Sequence, residues 1–198
     1  MKVEQSLQEG QSIRPDDAEG FFRVVEARHS VRKYTEDDIP HDDLVRIFEA
    51  ARLAPSANNF QPWRFVVVKD EETKKLLAQP SPQRFIADAS AVVAVLGEPG
   101  DSYCRTPLTW STRDPIIATE HLVLAATALG YGACWIAVYE SRPLEWLTEV
   151  RSRLKIPEGV YVICLVALGV PAEPPRQTLK KDLREIVFSE EYGKPLTG

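Results

Sequence analysis

The sequence has few cysteines and no long apolar stretch. The first feature argues against a disulfide or metal framework, and the second against a membrane-spanning protein. Its three cysteines, Cys104, Cys134 and Cys164, show no CxxC spacing. An odd set without metal-ligand spacing predicts buried free thiols in a reducing compartment and no metal site. The longest apolar runs, such as Val92 to Leu96, are too short to span a bilayer, and the first twenty residues contain no apolar signal-peptide core. We therefore expect a cytoplasmic protein that does not bind membranes.

The chain also lacks a basic excess and the common nucleotide and protease motifs. It has 24 Lys and Arg against 29 Asp and Glu, a net charge of −5, which argues against nucleic acid as a partner but leaves room for a local phosphate site. No GxGxxG follows a strand, and GxxxxGK[ST], HExxH and GxSxG are absent. With 44% apolar and 27% charged residues, the composition is that of a globular protein that can bury its own core.

The order of predicted helices and strands is α/β-like or α+β, without the strict βαβ alternation of a doubly wound fold, and we expect one domain of the α+β class. Residues 1–17 are polar and are expected to form a mobile N-terminal arm, and residues 18–198 the domain. Helices are expected over 21–28, 41–54, 71–78, 116–129 and 143–154, and strands over 63–68, 91–96, 133–138 and 161–168. Residues 97–113, rich in Gly and Pro, are expected to form a loop in which Tyr103 and Trp110 either pack or stack on a substrate. The proline-rich segment after Gly169 is suited to reaching across a surface.

The first chemical signal is the run from Arg28 to Arg32. In an extended chain, residues 28, 30 and 32 point to the same side and place two guanidinium groups and a hydroxyl over one spot. These groups suit a phosphate. Alternatively, basic residues at a helix C-terminus complement the helix dipole and stay solvated. The spacing alone leaves both interpretations open.

The second signal is the loop between Pro55 and Pro62. Its prolines and turn-forming amides exclude a helix or a central strand. Asn and Gln side chains carry both a donor and an acceptor, which matches the edge of a heteroaromatic ring. An ordinary asparagine-rich turn is the alternative interpretation.

Taken together, these segments resemble the FMN-dependent nitroreductase family. The matching residues near the N-terminus are Arg28, Ser30, Arg32, Ala50, Ala51, Pro55, Ser56, Ala57, Asn59, Gln61, Pro62, Trp63 and the run 65–68. Further along, residues 125–136, 156–159 and 168–173 resemble three more stretches of that family, so that the resemblance covers residues 21–193. The run PSAxNxQPW is its most specific part.

The resemblance implies a fold and a cofactor site. The fold would be an α/β sandwich of the nitroreductase type, with a central, mostly antiparallel sheet flanked by helices and a C-terminal tail that reaches the partner subunit. FMN would lie at the interface of a homodimer. The implied ligands of the phosphate and the ribityl chain are Arg28, His29, Ser30 and Arg32. The isoalloxazine would be lined by Pro55, Ser56, Ala57 and Asn59 of the partner subunit. Main-chain N–H groups near Ile136 and Ala137 would face the N5 and O4 edge of the ring. Lys180 fits the C-terminal phosphate ligand better than Arg176.

The activity implied is that of an NAD(P)H-dependent oxidoreductase. NADH or NADPH would deliver hydride to flavin N5, and a small electron-poor acceptor such as a nitroaromatic or a quinone would then take it in a ping-pong reaction. No side chain is assigned as catalytic, because the flavin carries the chemistry. Two alternatives remain open: an FMN-binding storage or sensing protein with little turnover, and a family branch that performs dehalogenation or desaturation.

Overall fold

Four apolar segments pair into one antiparallel sheet. The computed structural model describes residues 15–79, 83–99, 107–138, 142–174, 176 and 178–196. Its strands are β1 (Trp63–Val68), β2 (Ala91–Gly97), β3 (Gly132–Ala137) and β4 (Tyr161–Gly169), in the order β1-β2-β4-β3. The central strands β2 and β4 are buried on both faces, which explains their unbroken apolar sequences. All four predicted strands are confirmed to within one residue at each end.

Helices cover both faces of the sheet and complete a sandwich. They are α1 (Pro15–Ala27), α2 (His41–Arg52), α3 (Glu71–Leu77), α4 (Pro107–Ala128) and α5 (Leu144–Arg153). On one face, Ile47 of α2 and Leu122 of α4 pack with the β2 and β4 side chains. On the other face, Leu77 of α3 and Trp146 of α5 do the same. The predicted α+β fold class is confirmed.

Two predicted boundaries are wrong. Helix α1 begins at Pro15, six residues before the predicted start at Phe21. Most of the predicted arm, residues 1–14, lies outside the described part of the chain. Helix α4 begins at Pro107, so the second half of the loop predicted over 97–113 is helical. Trp110 lies in this helix, and Tyr103 falls outside the described residues.

Helix α4 continues through a proline because of its contact with the sheet. Pro115 has no N–H to give to the carbonyl of Ser111. Strand β2 ends beside that carbonyl at Gly97, where an added Cβ would lie 1.8 Å from the Ser111 oxygen. The missing side chain therefore lets helix and strand approach closely, and this tertiary packing overrides the local tendency of proline to end a helix.

The segment after β4 lies along the surface and buries little of its apolar area. Leu179 and Tyr192 are almost fully exposed, and Leu183 and Ile186 are more than half exposed. Asp182 caps the short turn Leu183–Glu185 through its side chain, which gives the segment local order without a core contact. None of the helices in the described ranges is long and apolar enough to cross a membrane.

Candidate functional site

A cavity of about 540 Å³ gathers the basic residues that follow α1 and the segment that follows β4. Arg28, His29, Ser30 and Arg32 line one side of this basic pocket, and Lys180 lines the other. Five of the eleven predicted site residues therefore meet at one place. Lys180 is separated from Arg28 by about 150 positions of sequence, so the tail of the chain brings it there.

The chain from residue 28 to residue 34 is fixed against the outer edge of β3. Ser30 forms a parallel bridge with Ala133, and the Val31 N–H donates to the Ala133 carbonyl at 2.9 Å. Val31 is buried, whereas Ser30 and Arg32 are exposed. Residues 28, 30 and 32 all line the basic pocket, and residues 29, 31 and 33 between them line it as well.

Two glycines make room for this segment on the sheet. A Cβ at Gly132 would lie 2.7 Å from Val31, and a Cβ at Gly169 would lie 2.6 Å from the Tyr34 ring. The Tyr34 hydroxyl donates to the Val31 carbonyl at 2.7 Å and to the Ala167 carbonyl at 3.3 Å. Burial of this phenol raises the pKa of Tyr34 well above its usual range, so Tyr34 is a neutral donor that holds the segment.

The charges around the basic pocket are not all neutralised. Glu173 pairs with Lys33 at 2.8 Å and, more distantly, with Arg176 at 3.7 Å. In the described ranges of the chain, no carboxylate lies within ion-pair distance of Arg28, Arg32 or Lys180. These three cations are suited to an anionic ligand, and the pairing of Arg176 with Glu173 favours Lys180 over Arg176 as a phosphate ligand.

A larger cavity of about 850 Å³ lies on the other side of Arg32 but is less suited to an anion. Its three lysines are already paired: Lys33 with Glu173, Lys69 with Asp38 and Lys74 with Glu71, each at 2.8 Å. Lys74 also donates to the Ala89 carbonyl. Apart from Arg32, which also lines the basic pocket, this cavity therefore offers a ligand little positive charge that is not already balanced.

The loop before β1 has a strained backbone. Asn58, Asn59 and Gln61 have φ values of 50°, 58° and 50°, the left-handed region that only a few residue types tolerate. The Ser56 hydroxyl accepts from the Gln61 N–H at 2.9 Å, and the Gln61 side chain donates to the Asn59 carboxamide oxygen at 3.1 Å. This pairing uses the oxygen of Asn59 and not its NH₂ group.

The basic pocket and the loop lie at opposite corners of the sheet. Trp63 follows the loop and stands in register with Gly97 and Tyr161, whereas Ala133 beside the pocket pairs with Leu168. Seven residues along β4 and three strand spacings separate Trp63 from Ala133, roughly 27 Å. None of the predicted loop residues Pro55, Ser56, Ala57 and Asn59 is among the residues that line the pocket.

Ile136 and Ala137 lie near the end of β3, on the edge strand. Ile136 is buried in the core and Ala137 is exposed. Because the Ala133 carbonyl points away from β4 towards Val31, the alternation of the ladder directs the main chain of Ala137 outward and that of Ile136 towards β4. Of the two, Ala137 has the orientation expected for a main-chain donor at the flavin.

The predicted free thiols are found where the chain is described. Cys134 and Cys164 are free and buried, and Cys104 lies outside the described residues. Burial raises the pKa of Cys134, although Arg32 and the Ser30 hydroxyl act against this shift. Across the described ranges, no group of three His, Cys, Asp or Glu side chains is arranged to hold a metal ion.

One buried polar residue near the loop has no counterpart in the sequence predictions. Asp114 lies in α4 and is 3% exposed, and its carboxylate accepts from the Ala57 N–H at 3.0 Å. An acidic residue directly before a proline, at the start of an otherwise apolar run, was the available signal.

Comparisons with known proteins agree on one family. The family model described as the nitroreductase family matches residues 25–84 and 77–170. A protein of Archaeoglobus fulgidus, provisionally named an NADH dehydrogenase/NAD(P)H nitroreductase, is 36% identical over 156 residues, which cover 78% of this chain and 87% of that protein. The solved structure of an FMN-dependent nitroreductase from Clostridium difficile is similar, with a TM-score of 0.74, 26% identity and coverage of 85% of this chain and 98% of that one. The NADPH:FMN oxidoreductase of Vibrio harveyi shares the fold, with a TM-score of 0.78, 22% identity and coverage of 90% and 80%.

Proposed function

The chain belongs to the nitroreductase family, and we propose that it is an FMN-dependent oxidoreductase that uses NADH or NADPH to reduce nitroaromatic, quinone or similar electron-poor acceptors. The observation that carries the proposal is the basic pocket, where Arg28, Arg32 and Lys180 converge without a carboxylate partner among the described residues. Names of relatives such as the Clostridium difficile enzyme support FMN as the cofactor.

The donor set of the basic pocket fits the phosphate end of FMN. Arg28 and Arg32 offer bidentate donors that stay charged, and Lys180 offers a third cation. Ser30 adds a short neutral hydroxyl on the same side, and His29 lies beside it with Nδ1 engaged by the Ala27 carbonyl at 2.9 Å. These groups would bind and orient the phosphate and the ribityl chain.

The isoalloxazine would lie against the loop before β1. Pro55, Ser56, Ala57 and Asn59 present small side chains and one amide, and the NH₂ group of Asn59 would donate to a carbonyl oxygen of the ring. When bound, FMN would supply reversible two-electron redox chemistry between the nicotinamide and the acceptor. The task of the chain is then to fix the ring and to donate main-chain hydrogen bonds near Ala137.

We infer that two chains build each site. The separation of roughly 27 Å between Trp63 and Ala133 exceeds the reach of one FMN, so the pocket of one chain and the loop of the same chain do not serve one cofactor. Exposed apolar side chains on α1 (Phe21, Phe22) and on the tail (Leu179, Tyr192) offer area for a homodimer. The tail would reach the partner subunit from this exposed position.

We also propose a cytoplasmic location, which the free buried thiols Cys134 and Cys164 fit.

Flavin titration tests the cofactor assignment. The wild type should bind FMN more tightly than riboflavin, which lacks the phosphate. Arg28→Ala should weaken FMN binding by about 1.5–3 kcal/mol, the usual range for a hydrogen bond to a charged group, and leave riboflavin binding unchanged. Arg46→Ala is the matched control, because Arg46 is an exposed arginine on α2 that pairs with Asp43. Equal FMN affinity in wild type and Arg28→Ala would refute the role of Arg28 in binding the phosphate. A second measurement adds NADH or NADPH to the flavin-loaded protein under anaerobic conditions. If neither bleaches the flavin, the result favours a storage or sensing protein.

Mixing two defective variants tests the shared site. Arg28→Ala and Asn59→Ala chains, unfolded together and refolded, form mixed dimers in which one of the two sites has both residues intact. Random pairing restores about a quarter of all sites, so the mixture should bind FMN at high affinity at that stoichiometry. If each chain held a whole site, the mixture would recover none.

A further inference from the structure

Asp114 is a buried carboxylate in α4, a helix that also buries the neutral polar side chains of Ser111 and Thr119. Only 3% of its surface is exposed, and a carboxylate taken out of water is costly unless it accepts hydrogen bonds. Its partner is the N–H of Ala57, at 3.0 Å from Oδ2. The hydrogen bond joins α4 to the loop before β1, which lies 57 positions earlier in the sequence.

The position of Asp114 is fixed by its neighbours in α4. Pro115 follows it directly, and the Thr119 hydroxyl donates to the Pro115 carbonyl at 2.7 Å. Three residues before Asp114, the carbonyl of Ser111 packs on Gly97 so closely that a Cβ at Gly97 would overlap it. This close packing against Gly97 prevents α4 from moving any nearer to the sheet, so Asp114 is attached to a helix that is held in place.

The loop needs such an anchor because its own conformation is unfavourable. Three residues with positive φ among four positions cost of order 1–3 kcal/mol each and persist only where the surroundings impose them. The Ser56 to Gln61 and Gln61 to Asn59 hydrogen bonds are internal to the loop. On its β1 side, Arg64 donates to the Gln61 carbonyl at 3.1 Å and pairs with Glu98. Asp114 holds the opposite side of the same loop.

We propose that Asp114 is a positioning residue for the flavin ring, which acts through the Ala57 N–H to hold Ser56 and Asn59 in their ligand-facing conformation. The inference rests on the proposed function, since it assigns the loop to the isoalloxazine. It separates two tasks within the chain: the basic pocket fixes the phosphate, and Asp114 fixes the loop that meets the ring. A residue that only stabilises the fold would change the melting temperature without changing the affinity of the folded protein for the ring.

Titration of both FMN and riboflavin distinguishes the two tasks. Asp114→Ala leaves the Ala57 N–H without its acceptor and should lower the affinity for riboflavin about tenfold, the equivalent of about 1.4 kcal/mol. FMN affinity should fall by the same factor, so the ratio of FMN to riboflavin affinity, which reports the phosphate contacts, should stay at the wild-type value. Asp114→Asn keeps an acceptor oxygen and should retain riboflavin affinity within about twofold. Asp114→Leu fills the space with an apolar group and serves in place of Asp114→Ala if the cavity prevents folding.

Each outcome decides the question. Lower riboflavin affinity in Asp114→Ala or Asp114→Leu, restored in Asp114→Asn, supports the proposal, and faster hydrogen exchange at the Ala57 amide in the first two should accompany it. Unchanged riboflavin affinity in a folded Asp114→Ala or Asp114→Leu protein overturns the positioning role and leaves the proposed function intact. A wild type that binds neither FMN nor riboflavin overturns the proposed function and this inference with it.

Discussion

Replacing Gly132 by Ala should disturb the basic pocket without touching any of its charged residues. The added Cβ would lie 2.7 Å from the Val31 Cβ and from both of its methyl groups. Real Cβ atoms essentially never come that close, so the Val31 segment has to move outward. Val31 is buried and makes a hydrogen bond of 2.9 Å to Ala133, and both contacts suffer when the segment moves.

The magnitude follows from these two contacts. Overpacking at a buried position costs about 1–3 kcal/mol, and the loss of one main-chain hydrogen bond adds about 1 kcal/mol. We therefore expect a loss of about 2–4 kcal/mol in the free energy of unfolding, or about 4–16 °C in melting temperature for a chain of this size. Because Arg28, Ser30 and Arg32 are carried by the displaced segment, the ratio of FMN to riboflavin affinity should fall as well.

Gly130→Ala is the matched control for Gly132→Ala. Gly130 ends α4 with a φ of 86°, and an added Cβ there meets nothing within 4 Å. The control therefore carries only the backbone cost of a left-handed residue, about 1 kcal/mol, and should keep the wild-type ratio of FMN to riboflavin affinity. Urea denaturation and flavin titration measure the two effects. If Gly132→Ala matches Gly130→Ala in both stability and the ratio of FMN to riboflavin affinity, Gly132 does not hold the Val31 segment in place.

Two further predictions concern titratable groups. Hydrogen bonds, first from the Lys69 ammonium and then from the Ser90 hydroxyl, hold the pKa of Asp38 below its usual range. Ionised Asp38 therefore stabilises the folded state at any pH above the unfolded-state pKa of about 3.9. This stabilisation is lost as the pH falls through the lower folded-state pKa. Asp38→Asn and Lys69→Met should each flatten the acid limb of the unfolding free energy measured by urea titration below about pH 4, and an unchanged limb would contradict the pairing. Burial raises the pKa of Cys164 to about 12 and raises that of Cys134 as well. In a Cys104→Ser background, a disulfide reagent at pH 8 should therefore modify neither thiol until guanidinium unfolds the chain, whereas stoichiometric reaction of the native protein would show that they are accessible.

The fold was largely predictable because its strands are marked by local pattern. Apolar runs such as Tyr161 to Leu168 are bounded by turn residues and need no long-range information. The start of α4 was not predictable in this way. Pro107 and Pro115 locally favour a loop, and the contact that keeps the helix intact, Ser111 on Gly97, joins residues of different elements.

The residues of the candidate site also differ in whether a local sequence pattern marks them. The alternation at Arg28, Ser30 and Arg32 is visible in the sequence, and the structure places all three on one pocket. The convergence of Lys180 depends on the path of the tail around the fold, which no local pattern encodes; the resemblance supplied it. Asp114 was missed because its importance comes from a partner, the Ala57 N–H, that is a main-chain group and leaves no mark in the sequence.

The basic pocket, our proposed phosphate site, is therefore encoded partly by residues that carry no charge. Gly132 and Gly169 are direct partners across β3 and β4, and each one is the surface on which a bulky residue of the 28–34 segment rests. Side chains at these two positions would keep Val31 and Tyr34 off the sheet. If Val31 and Tyr34 cannot pack on the sheet, the main-chain bond to Ala133 and the bond from the Tyr34 hydroxyl to Ala167 are both lost, and the orientation of Arg28 and Arg32 is less well fixed. A relative that kept every basic residue but replaced either glycine should accordingly bind the flavin phosphate less tightly.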